Sequence, residues 1–179
     1  ISSEQLNANV ALKLTHLGLE IDEELAYENV RRLVRRADMR NQFIRIDMEQ
    51  FAFVDATLRI YRRLREEASL ANVGTVLQAY LYRTPADLEA LLPLQPNLRL
   101  VKGAYLEPAG IAYPDKSDVD AAYERLLEQM FSGGGHVAIA THDERLIEWA
   151  IRLAERQGIP RDRFEFQMLY GVRPQLQAD

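Results

Sequence analysis

Phe43-Ile44-Arg45-Ile46-Asp47-Met48 is the stretch on which the reading of this chain turns. Successive side chains of an extended strand point to opposite faces, so Ile44, Ile46 and Met48 share one face while Arg45 and Asp47 share the other. The same alternation recurs along the sequence. Leu12 and Leu14 oppose Ala11, Lys13 and Thr15; Leu77 and Ala79 oppose Gln78; Leu98 and Leu100 oppose Arg99; Phe164, Phe166 and Met168 oppose Glu165 and Gln167. These runs predict strands near residues 9–15, 43–48, 75–81, 98–102 and 163–169, with a further one at 136–141 after the Gly133-Gly134-Gly135 break. Helical periodicity fills the intervals, near 22–37, 55–67, 84–92, 117–131 and 144–157. Thr84 before Pro85 and Ser117 read as helix caps, and Gly158 with Pro160 as a helix stop.

A parallel sheet covered by helices on both sides should be apolar on both faces. One polar face, with helices against the other, is the geometry of a barrel. Helices then pack outside while the lumen collects Lys13, Arg45, Asp47, Gln78, Arg99, Glu165 and Gln167. The doubly wound sheet also alternates strand and helix, but only His16-Leu17-Gly18-Leu19 follows the first strand, where that fold uses a Gly-rich phosphate turn. Strand starts recur every ~31 residues, the spacing of an eight-unit barrel of about 250 residues. The expectation is therefore an α/β chain forming part of a (β/α)8 TIM-type barrel, with six βα units in a single partial domain over residues 1–179. Charges in a lumen are costly unless paired, so a ring of mixed signs reads either as an internal salt-bridge network or as a site. The late position of most of them in their strands favours a site, because barrel enzymes carry their chemistry at the C-terminal strand ends.

Composition narrows the chemistry. Among 179 residues, 47% hydrophobic and 27% charged, there is no cysteine, which excludes disulfides, thiolate metal sites, iron–sulfur clusters and a cysteine nucleophile. His16, His136 and His142 lie on separate elements without ligand spacing, so no metal is expected. The balance of 22 basic against 27 acidic side chains argues against nucleic acid. No apolar run approaches the roughly 18 residues of a membrane span, and no signal peptide is evident, so a cytoplasmic or matrix-type location is expected.

Six ordered segments resemble the proline dehydrogenase catalytic domain: Leu12-Lys13-Leu14, Ile46-Asp47, Leu77-Gln78-Ala79-Tyr80, Arg99-Leu100-Val101-Lys102-Gly103-Ala104-Tyr105, Ala140-Thr141-His142 and Phe164-Glu165-Phe166-Gln167-Met168-Leu169-Tyr170-Gly171. The resemblance implies a distorted (βα)8 barrel that binds FAD non-covalently, oxidises L-proline to pyrroline-5-carboxylate and passes electrons to a membrane-borne quinone, with peripheral contact at the inner membrane. It implies roles residue by residue. Asp47 and Arg99 match catalytic positions, Arg99 beside the flavin N5 edge. Lys13 matches the lysine for the substrate carboxylate, and Tyr105 and Leu169 match walls of the proline pocket. Met48, Gln78, Arg99, Val101, Lys102, Gly103 and Ala104 match flavin contacts, as do Thr141 and His142 toward the pyrophosphate and ribityl parts.

The residues add one constraint of their own. Arg99 and Lys102 have opposite parity, so a regular strand cannot aim both into one lumen, and the backbone must turn near Gly103. The family pattern also has a strand before the one bearing Lys13 and a paired arginine after an eighth strand. Arg173 alone does not make that pair, and these parts are expected outside the 179 residues. Two other readings remain open on the sequence: a class I aldolase-type barrel with Lys13 or Lys102 as the Schiff-base lysine, and a non-catalytic interaction fragment.

Overall fold

A computed structural model describes residues 8–177 of the chain. Strands β1 (Val10–Leu12), β2 (Ile44–Ile46), β3 (Val73–Gln78), β4 (Asn97–Val101), β5 (His136–Ala140) and β6 (Phe164–Gln167) alternate with helices α1 (Glu23–Asp38), α2 (Val54–Glu66), α3 (Thr84–Leu91), α4 (Lys116–Ser132) and α5 (Glu144–Gln157). The order is the one the periodicity predicts. By contact density the chain divides into two compact units between Val76 and Leu77, inside β3.

In the first unit β1, β2 and β3 pair in parallel, with Leu12 beside Ile46 and Ile46 beside Thr75. Helix α1 starts where the Asp22 carboxylate accepts the Leu25 amide at 2.8 Å. Glu23 and Glu24 stand in its first turn and Arg35 and Arg36 in its last, each end complementing the helix dipole. Its buried stripe, Ala26, Tyr27, Val30, Val34 and Ala37, follows the spacing of three and four residues. Helix α2 buries Leu58, Tyr61 and Leu64 as expected, with Val54, Thr57 and Ile60 beside them. Asn72 closes the unit before β3 by donating to Val34 O and Gln42 O at 3.1 and 2.9 Å.

Arg45 is the exception to the rule that strand charges seek solvent, being only 1% exposed. The register sets it beside Gly74, which has no side chain to obstruct the guanidinium. The group lies 5.0 Å from the centroid of the Phe43 ring and donates to Thr75 O at 3.2 Å.

In the second unit β4, β5 and β6 pair in parallel, and the register aligns Arg99 with Ala138 and Ala138 with Glu165. Leu98, Leu100, Val137 and Ile139 form the opposite, buried face together with Tyr123, Leu126, Leu127, Leu146 and Ala150 of the helices. Tyr123 spans the layers, its hydroxyl donating to Leu100 O at 3.1 Å. The amides of Ala79 and Tyr80, which continue β3, donate to Val101 O and Lys102 O at 2.8 Å. The end of β3 therefore runs beside β4. In the usual doubly wound order the first strand takes that place; here the strands follow one another in chain order, without a reversal point.

Several local expectations differ from the structure: β1 ends at Leu12, β2 at Ile46 and β6 at Gln167, all earlier than the predicted strand ends, so Lys13, Asp47 and Met48 follow their strands rather than alternate within them. Thr84 is not a cap: the chain is already turning at Arg83, and the Thr84 hydroxyl donates back to Gln78 O at 2.6 Å, tying α3 to the end of β3. Ser117 lies inside α4, which is entered through Asp115 with an extended backbone (φ −95°, ψ 133°) suited to a helix entry. β3 begins at Val73 and ends at Gln78, two residues earlier than predicted at its start and three at its end. Its apolar surroundings bury every residue, so solvent exposure gives no alternation there.

Candidate active site

The strand boundaries put nearly every candidate residue at one kind of place. Lys13 follows β1, Asp47 and Met48 follow β2, and Gln78 ends β3. Val101 ends β4 and leads into Lys102, Gly103, Ala104 and Tyr105; Thr141 and His142 follow β5, and Leu169 comes shortly after β6. These are C-terminal strand ends, where barrel enzymes place their reactive groups. Arg99 is the exception, in the middle of β4.

Within the first unit the Asp47 amide donates to Leu12 O at 2.8 Å, which sets the Asp47-Met48 exit beside the Lys13 exit. Met48 is buried, and Lys13 and Asp47 are half-buried. Among the described residues no hydrogen bond or ion pair engages the Lys13 ammonium. Glu49, which the sequence reading missed, is only 6% exposed; its carboxylate accepts the Thr15 amide at 3.1 Å and the Thr15 hydroxyl at 2.7 Å. It thereby fixes the turn two residues beyond Lys13.

In the second unit Arg99 reaches across β5. Its Nε donates to Gln167 Oε1 at 2.6 Å, and Gln167 Nε2 donates to Glu165 Oε1 at 2.6 Å. The strand between them presents Ala138 and Ala140 to the same face, so nothing bulky stands in the way. The expected pairing of opposite charges thus runs through an amide. Glu165 itself is exposed, so the predicted ring is not uniformly enclosed.

Gly103 supplies the turn that parity demands, with φ +120°. A Cβ there would stand 2.2 Å from the Tyr80 ring, so both the backbone angle and the space call for glycine. Burial, joined by the nearby Glu107 charge, pushes the Tyr80 phenol up to about 12. Gln78 is buried, Tyr105 half-buried and Ala104 exposed.

Lys102 turns the other way from Arg99. Its ammonium stands 2.6 Å from Asp120 Oδ1 and 2.8 Å from Asp143 Oδ2. Burial alone would lower the lysine pKa, but the hydrogen bonds to Asp120 and Asp143 outweigh it and the group is raised. Asp143 is correspondingly held below the ordinary carboxylate value by its bond to Lys102. A Schiff-base lysine needs the reverse, a depressed pKa in a desolvated pocket. Asp120 also escaped the sequence reading. Its signal was a carboxylate on the buried stripe that runs through Tyr123 and Leu127.

At the exit of β5 the Asp143 amide donates to Thr141 Oγ1 at 3.1 Å, and the Leu169 amide donates to His142 Nε2 at 2.9 Å. Arg173 donates to His142 O at 2.9 Å and pairs with Glu144. The Leu169 side chain is 68% exposed. Among the described residues there is no cluster of three His, Asp or Glu side chains suited to a metal ion, and no helix is long and apolar enough to cross a membrane.

Comparison with known proteins places the chain in a family. The profile of the family described as proline dehydrogenase matches residues 2–179. A proline dehydrogenase of Deinococcus radiodurans is 48% identical over 171 residues, covering 94% of this chain and 55% of that protein. Proline dehydrogenase 2 of Bacillus subtilis is 46% identical over 177 residues, covering 99% of this chain and 58% of that protein. The chain thus spans somewhat more than half the length of these curated relatives. Among solved structures, proline utilization A from Bdellovibrio bacteriovorus, inactivated by N-propargylglycine, superposes with a TM-score of 0.84 at 27% identity, over 93% of this chain and 20% of that one.

Proposed function

Because the chain belongs to the proline dehydrogenase family, we propose that the protein oxidises L-proline to pyrroline-5-carboxylate with FAD as cofactor and a quinone as final acceptor. The reading treats residues 1–179 as part of one (βα)8 barrel whose remaining units lie in sequence outside them. The observation that carries it is Arg99, a fixed cation held by Gln167 over the alanines of β5.

The donor set suits a flat, polar heterocycle. Ala138 and Ala140 put no bulky side chain on that strand face, and the half-buried Arg99 offers a cation at its margin. FAD, when bound, would supply the acceptor for the hydride leaving the carbon beside the proline nitrogen, and later release the electrons to the quinone. The protein's part is binding and orientation. Arg99 would stabilise negative charge on the reduced ring system, and its bond to Gln167 means that no side chain must reorganise to do so. Gln78, Met48 and the backbone from Val101 to Ala104 would hold the ring system, with Thr141 and His142 toward the rest of the cofactor. Lys13, a half-buried ammonium with no protein partner among the described residues, would take the substrate carboxylate as a point charge. Tyr105 and Leu169 would wall the proline ring, and Asp47 would complete the polar surroundings. A quinone acceptor carries the further expectation of peripheral contact with a membrane.

The test is the cofactor content of the protein expressed from its complete reading frame. A yellow protein that releases FAD on denaturation and reduces a quinone analogue only when L-proline is present supports the reading. A colourless protein that traps a carbonyl substrate on borohydride reduction overturns it in favour of lysine chemistry.

A further inference from the structure

Asp120 is a costly residue where it stands. It is 8% exposed, on the buried stripe of α4, at a place where an apolar side chain would pack without desolvation. Both of its oxygens are taken by cations, Oδ1 by Lys102 at 2.6 Å and Oδ2 by Arg145 at 3.0 Å. Lys102 in turn binds Asp143 at 2.8 Å. Three separate segments therefore meet at one ammonium: the exit of β4, the start of α4, and the link between β5 and α5.

Two of those segments are the ones assigned to the cofactor. Lys102 opens the run through Gly103 and Ala104, and its carbonyl is held by the Tyr80 amide at 2.8 Å. Asp143 follows Thr141 and His142 directly, and its amide is bonded to the Thr141 hydroxyl at 3.1 Å. With Arg99 and Val101 on one face of β4, the Lys102 side chain leaves on the other and is spent on the two carboxylates. We infer that Asp120, with Asp143, is a positioning residue for FAD: it acts through Lys102, whose ammonium pegs the β4 exit to the β5 exit at a fixed spacing, while Lys102 meets the cofactor through its backbone alone.

This inference rests on the FAD reading above, and one experiment separates the two. The protein is expressed from its complete reading frame, stripped of flavin, and titrated with FAD by fluorescence quenching; melting of the apoprotein is followed in parallel. Asp120→Asn and Lys102→Met each weaken FAD binding about tenfold or more, and the double variant is no weaker than the weaker single one, because both remove the same peg. Lys102→Arg, which keeps a cation between the carboxylates, restores binding to within about threefold of the parent. The apoprotein melting points stay within a few degrees of the parent. If Asp120→Asn does not fold, Asp143→Asn, at the more exposed partner, carries the same expectation.

FAD binding at parental strength in Asp120→Asn and Asp143→Asn overturns the clamp, as do additive losses in the double variant. A loss confined to Lys102→Met and Lys102→Arg also overturns it, since the ammonium would then touch the cofactor itself. A parent protein that binds no FAD overturns the flavin reading and the clamp together; a parent that binds FAD beside unaffected variants overturns the clamp alone.

Discussion

Arg45 and Arg99 hold comparable stations in the two units of this chain, and they differ in what is left for them to do. Each sits in a strand, and each has a cross-strand neighbour with little or no side chain, Gly74 for Arg45 and Ala138 for Arg99. Arg45 is fully enclosed, stacked on Phe43 and bonded to a backbone carbonyl of the next strand. Arg99 is half-buried, and its Nε donates to the Gln167 side-chain amide at 2.6 Å across a floor of alanines. The same residue type therefore serves as internal mortar in the first unit and as an accessible, oriented cation in the second. Burial separates the roles where sequence alternation treats the two alike.

Substitutions can break that contrast. Arg99→Met should leave the melting temperature within a few degrees of the parent while kcat/KM for L-proline falls at least about 100-fold, the scale of a lost electrostatic contact to developing charge. Arg45→Met should do the opposite. It leaves Thr75 O without its donor and should cost roughly 2–3 kcal/mol in urea unfolding, with kcat/KM of the folded protein within a few-fold of the parent. Were Arg45→Met inactive yet fully stable, the assignment of mortar and chemistry would have to be exchanged.

Lys13→Ala sharpens the comparison from the substrate side. Its KM for L-proline should rise about tenfold or more with FAD content unchanged, because one charged hydrogen bond is removed from ground state and transition state alike. Equal losses of FAD and of substrate affinity would make Lys13 structural. The smallest effect is expected on the helical surface of the first unit. Arg63 pairs with Glu24 at 2.7 Å and lies over the Tyr27 ring at 3.6 Å, yet its partner carboxylate is mostly in solvent. Arg63→Ala should cost less than about 1 kcal/mol in the same unfolding experiment and leave turnover untouched.

What the sequence made legible follows from the range of the forces involved. Strand alternation and helical stripes are local, so the six strands and five α-helices of the described residues are readable, as is the turn at Gly103, which follows from the parity of Arg99 and Lys102. Contacts between residues far apart in sequence are not. Glu49 meets Thr15 across 34 residues and Lys102 meets Asp143 across 41, and no local pattern announces either pair. Asp120 left a trace, a charge on an apolar stripe, but a stripe does not say which cation will reach it. The caps at Thr84 and Ser117 were misread because a hydroxyl near a helix start also serves a neighbouring strand end or the helix interior. Eight-stranded closure is a global count that rests on the repeat length, whereas the described residues show six strands in chain order.

The central claim, that this polar strand face serves the oxidation of L-proline by a bound flavin, is most directly tested by mixing the purified FAD-loaded protein with L-proline in the absence of oxygen and of quinone. The account predicts bleaching of the visible flavin band with pyrroline-5-carboxylate formed in equimolar amount, and no bleaching in Arg99→Met on the same timescale. A flavin band that L-proline leaves unchanged, in a protein that retains its FAD, would contradict it.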